Sequence, residues 1–167
     1  MLRVGTEAAE QALRTSEARF RQIFDHAPVM MHSIDREARI LTVNDKWIGE
    51  TGYVRDEVSG RPLTAVLTPE SAETMVRETL PRLWSENAIQ GVALRLMRRD
   101  GSSFDALLDA AVVEMPDGTA SSLTVLRNES VRKRAESLGR AHGFHEDRVL
   151  HALLGEAAAV GRAAEVF

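Results

Sequence analysis

Ile40-Leu41-Thr42-Val43-Asn44-Asp45-Lys46-Trp47, continued by Ile48-Gly49-Glu50-Thr51-Gly52-Tyr53, holds a strand, a helix start and a helix stop in immediate succession. Residues 39–43 read as a strand. Asn44 or Asp45 then caps a short helix, because a short polar side chain accepts from the free N–H groups of the first turn. Trp47 and Ile48 lie on that helix, and Gly52 occupies its stop position. Upstream, residues 29–34 are a second apolar, β-friendly run. The polar Asp35-Arg36-Glu37 between the two runs is short, which favours an antiparallel hairpin.

Downstream, residues 55–58 form a helical turn closed by Gly60, and Pro62 opens another short piece. Thr68-Pro69-Glu70 is a helix start: a cap, a proline in the first turn and an acid near the positive dipole end. Ala72, Met75, Val76, Thr79, Leu80 and Leu83 should share one face of this helix. Pro81 should kink its last turn, since it removes a backbone donor. Three strands follow. Val92, Leu94 and Leu96 alternate with Ala93, Arg95 and Met97. Phe104, Ala106, Leu108, Ala110 and Val112 form an apolar face opposite Asp105 and Asp109. Leu123 and Val125 alternate with Ser122 and Thr124. Such alternation belongs to half-buried antiparallel strands. On the polar face Arg95 is placed to bridge a neighbouring acid, and both aspartates are expected to be solvated. Arg99-Asp100-Gly101 and Met115-Pro116-Asp117-Gly118 are the turns.

Before the first strand, residues 5–24 favour helix. Ala9, Leu13, Ser16, Phe20, Ile23 and Ala27 make one narrow stripe, as in a coiled-coil seam. Thr15 or Ser16 offers a second helix start, and Pro28 ends the segment. After Asn128 the chain turns helical again, weakened by Gly139, Gly143, Gly155 and Gly161. The fold class is α+β: a five-stranded antiparallel sheet with short helices on one face, flanked by N- and C-terminal helices. The expected division is a helical cap over 1–26, a core over 27–129, and an exit helix or linker over 130–167, whose alanine-rich end reads as a truncated linker or the end of a short protein.

The 167 residues, 44% hydrophobic and 28% charged, suit one soluble domain with extensions. With no cysteine, disulfides, thiolate zinc sites and cysteine nucleophiles are excluded. A net charge of −4 gives no general nucleic-acid surface. No apolar run is long enough to span a membrane, and residues 1–10 lack the order of a signal peptide, so a cytoplasmic protein is expected.

In their order, these segments resemble the PAS family over about residues 16–136. The carriers are Ser16-Glu17-Ala18-Arg19-Phe20-Arg21-Gln22-Ile23-Phe24, the stretch from Ile40 to Trp47, Thr51-Gly52-Tyr53, Asp56-Glu57-Val58-Ser59-Gly60-Arg61, Arg98-Arg99-Asp100-Gly101-Ser102 and Val131-Arg132-Lys133-Arg134-Ala135-Glu136. Val66-Leu67-Thr68-Pro69-Glu70-Ser71 is similar to modules that precede bacterial diguanylate cyclase or histidine kinase domains. The PAS fold and a sensory role in two-component or related signalling are what the resemblance implies, without enzymatic activity. It also implies a signal relay at Asn128-Glu129-Ser130, where Asn128 replaces the family's usual aspartate and should weaken the coupling.

The family's flavin-adduct cysteine is missing, and the helix from Thr68 to Trp84 carries no histidine for heme. No cofactor or metal is therefore expected, and an unknown small molecule remains the candidate ligand. Its pocket would lie between the inner sheet face and the short helices, among Met31, Trp47, Met75, Leu94, Leu96, Leu108 and Leu123. Plain packing of the same residues is the favoured alternative. His32 reads as a hydrogen-bonded core or surface residue rather than a ligand. His142, His145, Glu146 and Asp147 read as a solvated helix face, with a metal site or a degenerate phosphoacceptor at His145 as lesser readings. The stripe at Ala9, Leu13, Phe20 and Ile23 could fold onto its own sheet; a homodimer is favoured. An effector domain or a partner kinase or cyclase completes the expected set. The rival function is a ligand-free dimerisation or protein-interaction domain.

Overall fold

The computed structural model describes residues 2–115 and 117–130. The chain runs α1 (Leu2–His26), β1 (Met30–Ile34), β2 (Ile40–Val43), α2 (Asp45–Thr51), α3 (Arg55–Val58), a 3-10 turn (Leu63–Val66), α4 (Pro69–Thr74), a π turn (Met75–Thr79), α5 (Leu80–Glu86), β3 (Ala88–Met97), β4 (Ser103–Glu114) and β5 (Ala120–Asn128). The strands form one antiparallel sheet in the order β2-β1-β5-β4-β3. The last strand thus inserts beside the first, and the N-terminal hairpin is joined to the C-terminal meander. The α+β class and the five antiparallel strands are as the sequence implies.

Local chemistry accounts for the joints. Asp35 Oδ1 accepts from the backbone N–H groups of Glu37 and Arg39, which closes the β1–β2 turn. Asn44 caps α2, and Gly52 ends it in the left-handed region at φ 78°. Thr68 caps α4 with Pro69 in its first turn.

Strand alternation sends side chains to two covered faces. On the inner face Met30, Ile34, Leu108, Ala110 and Leu126 meet Trp47, Val58, Leu63, Met75 and Leu83 from the short helices. On the outer face Met31, Leu123 and Val125 meet Phe24, Ala27 and Val29, with Phe20 and Ile23 packed alongside. The short helices therefore cover one face, and the last turns of α1 cover part of the other.

Four local expectations are corrected. α1 is one continuous helix, because the Thr15 hydroxyl donates back to the Gln11 carbonyl instead of capping a new start. The irregularity tied to Pro81 lies ahead of it, as the π turn, where the Leu80 N–H reaches the Met75 carbonyl. A proline has no N–H to hold the i−4 ladder, so the turn before it is free to widen. That shift leaves Met75, Thr79 and Leu83 buried but Val76 exposed, off the predicted face. Asp109 is not solvated: it is buried, pairs with Arg127 at 2.9 Å and accepts the Gly91 N–H at 2.8 Å. Arg95 does bridge an acid, Asp105, at 2.9 Å, in an exposed pair that contributes little.

Asn44 is fully buried. Its Oδ1 accepts from Met31 N–H at 2.9 Å and Trp47 N–H at 3.0 Å, and its Nδ2 donates to the Val29 carbonyl at 2.8 Å. Removing it deletes a helix cap and strands two buried backbone groups. Asn44→Ala should destabilise the protein by about 2–4 kcal/mol in urea unfolding, against under about 0.5 kcal/mol for an exposed control such as Glu73→Ala.

Candidate functional site

The inner face brings together five of the seven predicted pocket residues. Trp47, Met75, Leu94, Leu96 and Leu108 share one buried cluster, and Trp47 and Leu96 are completely covered. Met31 and Leu123 are not part of it. They sit on the opposite face beneath α1. The cause is parity: Met31 pairs with Val125 and Ser33 with Leu123, while Met30, His32 and Ile34 point inward.

What the inner face has instead is a polar centre. His32 stands opposite Thr124, and Thr124 opposite Ala110; Ser122 lies one step along β5, opposite Ile34. All three polar residues are buried. The Ser122 and Thr124 hydroxyls share a hydrogen bond at 3.3 Å. Burial alone pushes the His32 pKa down to about 4, so its imidazole is neutral at pH 7. Among the described residues, neither His32 ring nitrogen nor the Trp47 indole N–H has a hydrogen-bond partner. His32 is therefore a core residue, but not the hydrogen-bonded one expected. A single histidine within an apolar run gives no hint in the sequence of what its nitrogens meet.

The end of β5 is tied to the same short helix that carries Trp47. Asn128 Nδ2 donates to Glu50 Oε2 at 3.3 Å, and Glu50 Oε1 pairs with Lys46 at 3.2 Å. Asn128 Oδ1 accepts from the Ser130 N–H at 2.9 Å, two residues on, capping the start of the exit segment. Arg98 Nε donates to the Glu50 carbonyl at 3.0 Å, and its guanidinium lies 4.4 Å from the Phe104 ring centre. The amide at position 128 thus meets an acid. Glu50 was not singled out in the sequence, because its partner lies 78 residues away.

Along α1, Phe20 and Ile23 pack against the protein's own outer sheet face, and Phe20 stacks on Phe24 at 6.0 Å. Ala9 and Leu13 are half-buried. Half of the predicted seam is therefore engaged within the chain. A groove of about 560 Å³ runs between α1 and the sheet, floored by Phe20, Phe24, Val113 and Leu123. No described helix is long and apolar enough to cross a membrane. His142, His145, Glu146, Asp147 and most of the exit segment lie outside the described residues.

The model of the PAS fold family matches residues 18–128. A curated relative, the bacterioopsin transcriptional activator of Halobacterium salinarum, is 34% identical over 110 residues. That match covers 64% of this chain and 16% of the relative, so the chain spans about a sixth of that protein's length. Among solved structures, the PAS domain of an HTR-like protein from Haloarcula marismortui has a TM-score of 0.62 at 24% identity, covering 73% of this chain and 98% of that one. The Rhodobacter sphaeroides LOV protein has a TM-score of 0.59 at 20% identity, covering 92% and 98%. The structural likenesses concern the fold. Their sources show that it is not confined to bacterial proteins.

Two outcomes follow from these contacts. Asn128→Asp places a second carboxylate against Glu50; stability should fall by about 1 kcal/mol at pH 7 and recover as pH is lowered through the carboxylate range near about 4. The added Glu50→Gln change should restore it at neutral pH. His32 binds its proton more weakly when folded than when unfolded, so the unfolded chain takes up more protons between pH 6.5 and about 4. Stability should be full above 6.5 and drop on the order of 3 kcal/mol across that window. Thermal unfolding of His32→Phe should lack that part of the pH dependence.

Proposed function

The chain belongs to the PAS family over residues 18–128, and we propose that it serves as a sensory module with no chemistry of its own. An event at the inner face is passed to the exit segment and on to an effector domain. The observation that carries this reading is the double attachment of α2. Trp47 on its inner side is fully buried in the inner cluster, while Glu50, three residues on, holds Asn128 at the start of the exit. A shift of this one short helix reaches both places. A stimulus moves the balance between two arrangements only by binding them unequally. The curated relative is a transcriptional activator by its name, which supports an effector that controls transcription as one destination; a kinase or cyclase is another.

The working form in this reading is a homodimer. Phe20 and Ile23 are occupied by the chain's own sheet, so the seam between subunits falls to Ala9 and Leu13 on the N-terminal half of α1. The packed inner core favours the second reading, a dimerisation module that holds no ligand, since Trp47, Leu96 and Met75 already fill one another's surroundings.

Sedimentation velocity at micromolar concentration should give the mass of two chains. Leu13→Asp should give one chain of unchanged thermal stability, whereas Phe20→Asp should lower the stability of the fold itself. A Leu13→Asp protein that still sediments as a dimer would remove the α1 seam. For the relay, Glu50→Ala should shift the Ser130 amide resonance and speed its exchange, because Asn128 loses its anchor. A Ser130 amide unaltered by that change sinks the path through α2.

A further inference from the structure

The outer face of the sheet is the one that α1 covers only in part. The groove left there holds about 560 Å³, within the range of roughly 300–1,000 Å³ that small-molecule sites occupy. Strand parity decides its floor. Ser33 pairs with Leu123 and with Thr42, and Ser121 pairs with Val113. Hydroxyls therefore stand beside apolar side chains on this face. From α1, Phe20 and Phe24 stack on each other and add an aromatic surface.

Two features of the groove are unanswered within the chain. The first is Ser121. It lines the groove at 7% exposure, and among the described residues its hydroxyl has no hydrogen-bond partner. A covered hydroxyl with nothing to bond is unfavourable. The second is charge. Glu17, Arg21 and Asp25 line the groove from α1 at four-residue steps, and Glu114 lines it from β4. Among the described residues none of these four is in an ion pair. Arg55, the other cation of the lining, is already held by Asp45 and the Val43 carbonyl. Three acids thus share one uncommitted arginine over an apolar floor. Glu114 follows Val113, the cross-strand partner of Ser121. An acid and the open hydroxyl therefore stand together at one end of the groove.

We propose that this groove binds a small organic cation, a protonated primary amine on an apolar body the size of an aromatic ring. The body lies on Phe20, Phe24, Val113 and Leu123. The ammonium lies at the Ser121 end. It carries three donors and no acceptor, so Glu114 and the Ser121 hydroxyl both accept from it. A bond from a charged donor to a carboxylate is stronger than a neutral one. An anion would find only Arg21, with an acid four residues away on each side. A neutral molecule would fill the floor and leave the acids unanswered. The site lies on the face opposite Trp47 and outside the contacts of Glu50 with Asn128, so it goes beyond the sensory reading and does not depend on it.

The test uses the full chain labelled with nitrogen-15 and three probes with the same ring: phenethylamine, phenylacetate and phenylethanol. At pH 7 the amine is a cation. Its titration should move the backbone amides of Ser121 and Leu123 along one saturable curve, with the Trp47 indole resonance still. Phenylacetate should move neither amide. Phenylethanol should bind at least about tenfold more weakly than the amine. Glu114→Gln, a change at an exposed position, should weaken amine binding at least about fivefold with thermal unfolding unaltered. Ser121→Ala should also weaken it, and Arg21→Gln should tighten it by removing the repelling charge. The proposal is overturned if the amine gives no saturable shift at these amides, if phenylacetate or phenylethanol binds as well, or if Glu114→Gln and Ser121→Ala both leave the affinity unchanged. Groove amides that move with protein concentration alone, in step with the sedimenting mass, would place a second copy of the chain there and equally overturn it.

Discussion

The Asn44 carboxamide holds the N-terminal half of the sheet to the helices above it. One oxygen takes N–H groups from β1 and from the first turn of α2, and the nitrogen returns a hydrogen bond to the chain just before β1. The backbone adds a fourth link, from Asn44 N–H to the Met31 carbonyl. These bonds are buried, where water does not compete for them and their loss leaves backbone groups without partners. They set the angle at which α2 leaves β2. That angle places Trp47 over the inner face and Glu50 within reach of β5. The core and the exit of the domain are thus both positioned by one uncharged side chain.

A sheet covered on both faces has consequences for what each face can do. The inner face is deeply buried and mostly apolar, so its few polar groups carry large energetic weight. The outer face is only partly covered by α1, and it carries the groove and the Asp109–Arg127 pair. Phe20 and Ile23 commit the lower part of α1 to this face. Nearer its N-terminus the helix carries half-buried Ala9 and Leu13 on one stripe. A single helix therefore serves intramolecular packing at one end and has a separate apolar stripe at the other.

At position 128 the amide of Asn128 meets the carboxylate of Glu50. The environment has a matching change of sign: Glu50 presents a carboxylate, and an amide can donate to it where an acid would repel it. The same amide caps the following backbone through its oxygen. A neutral residue with two hydrogen-bonding ends suits a position between an acid and a helix start. The sequence reading of position 128 was made without Glu50, which lies 78 residues away in the chain.

The sequence by itself determined the elements and their order. Asn44 before Asp45-Lys46-Trp47, Gly52 after it and Thr68-Pro69-Glu70 are local signals, each acting over four or five residues, and all three are where they were read. Apolar alternation likewise specified the inner faces of β3 and β4, where Arg95 on β3 and Asp105 and Asp109 on β4 mark the other side. It did not do so for β1 and β5. Met30, Met31, His32 and Ile34 are all buried, as are residues 121–126, so neither strand shows which parity faces which layer. That decision belongs to the pairing of β1 with β5 across some ninety residues and to α1 covering one side. Tertiary structure alone therefore moved Met31 and Leu123 out of the inner cluster, isolated the His32 nitrogens and brought Glu50 to Asn128. The physical reason is range: caps and turns are satisfied by neighbours in the chain, whereas the partner of a buried polar group is chosen by whichever distant segment packs against it.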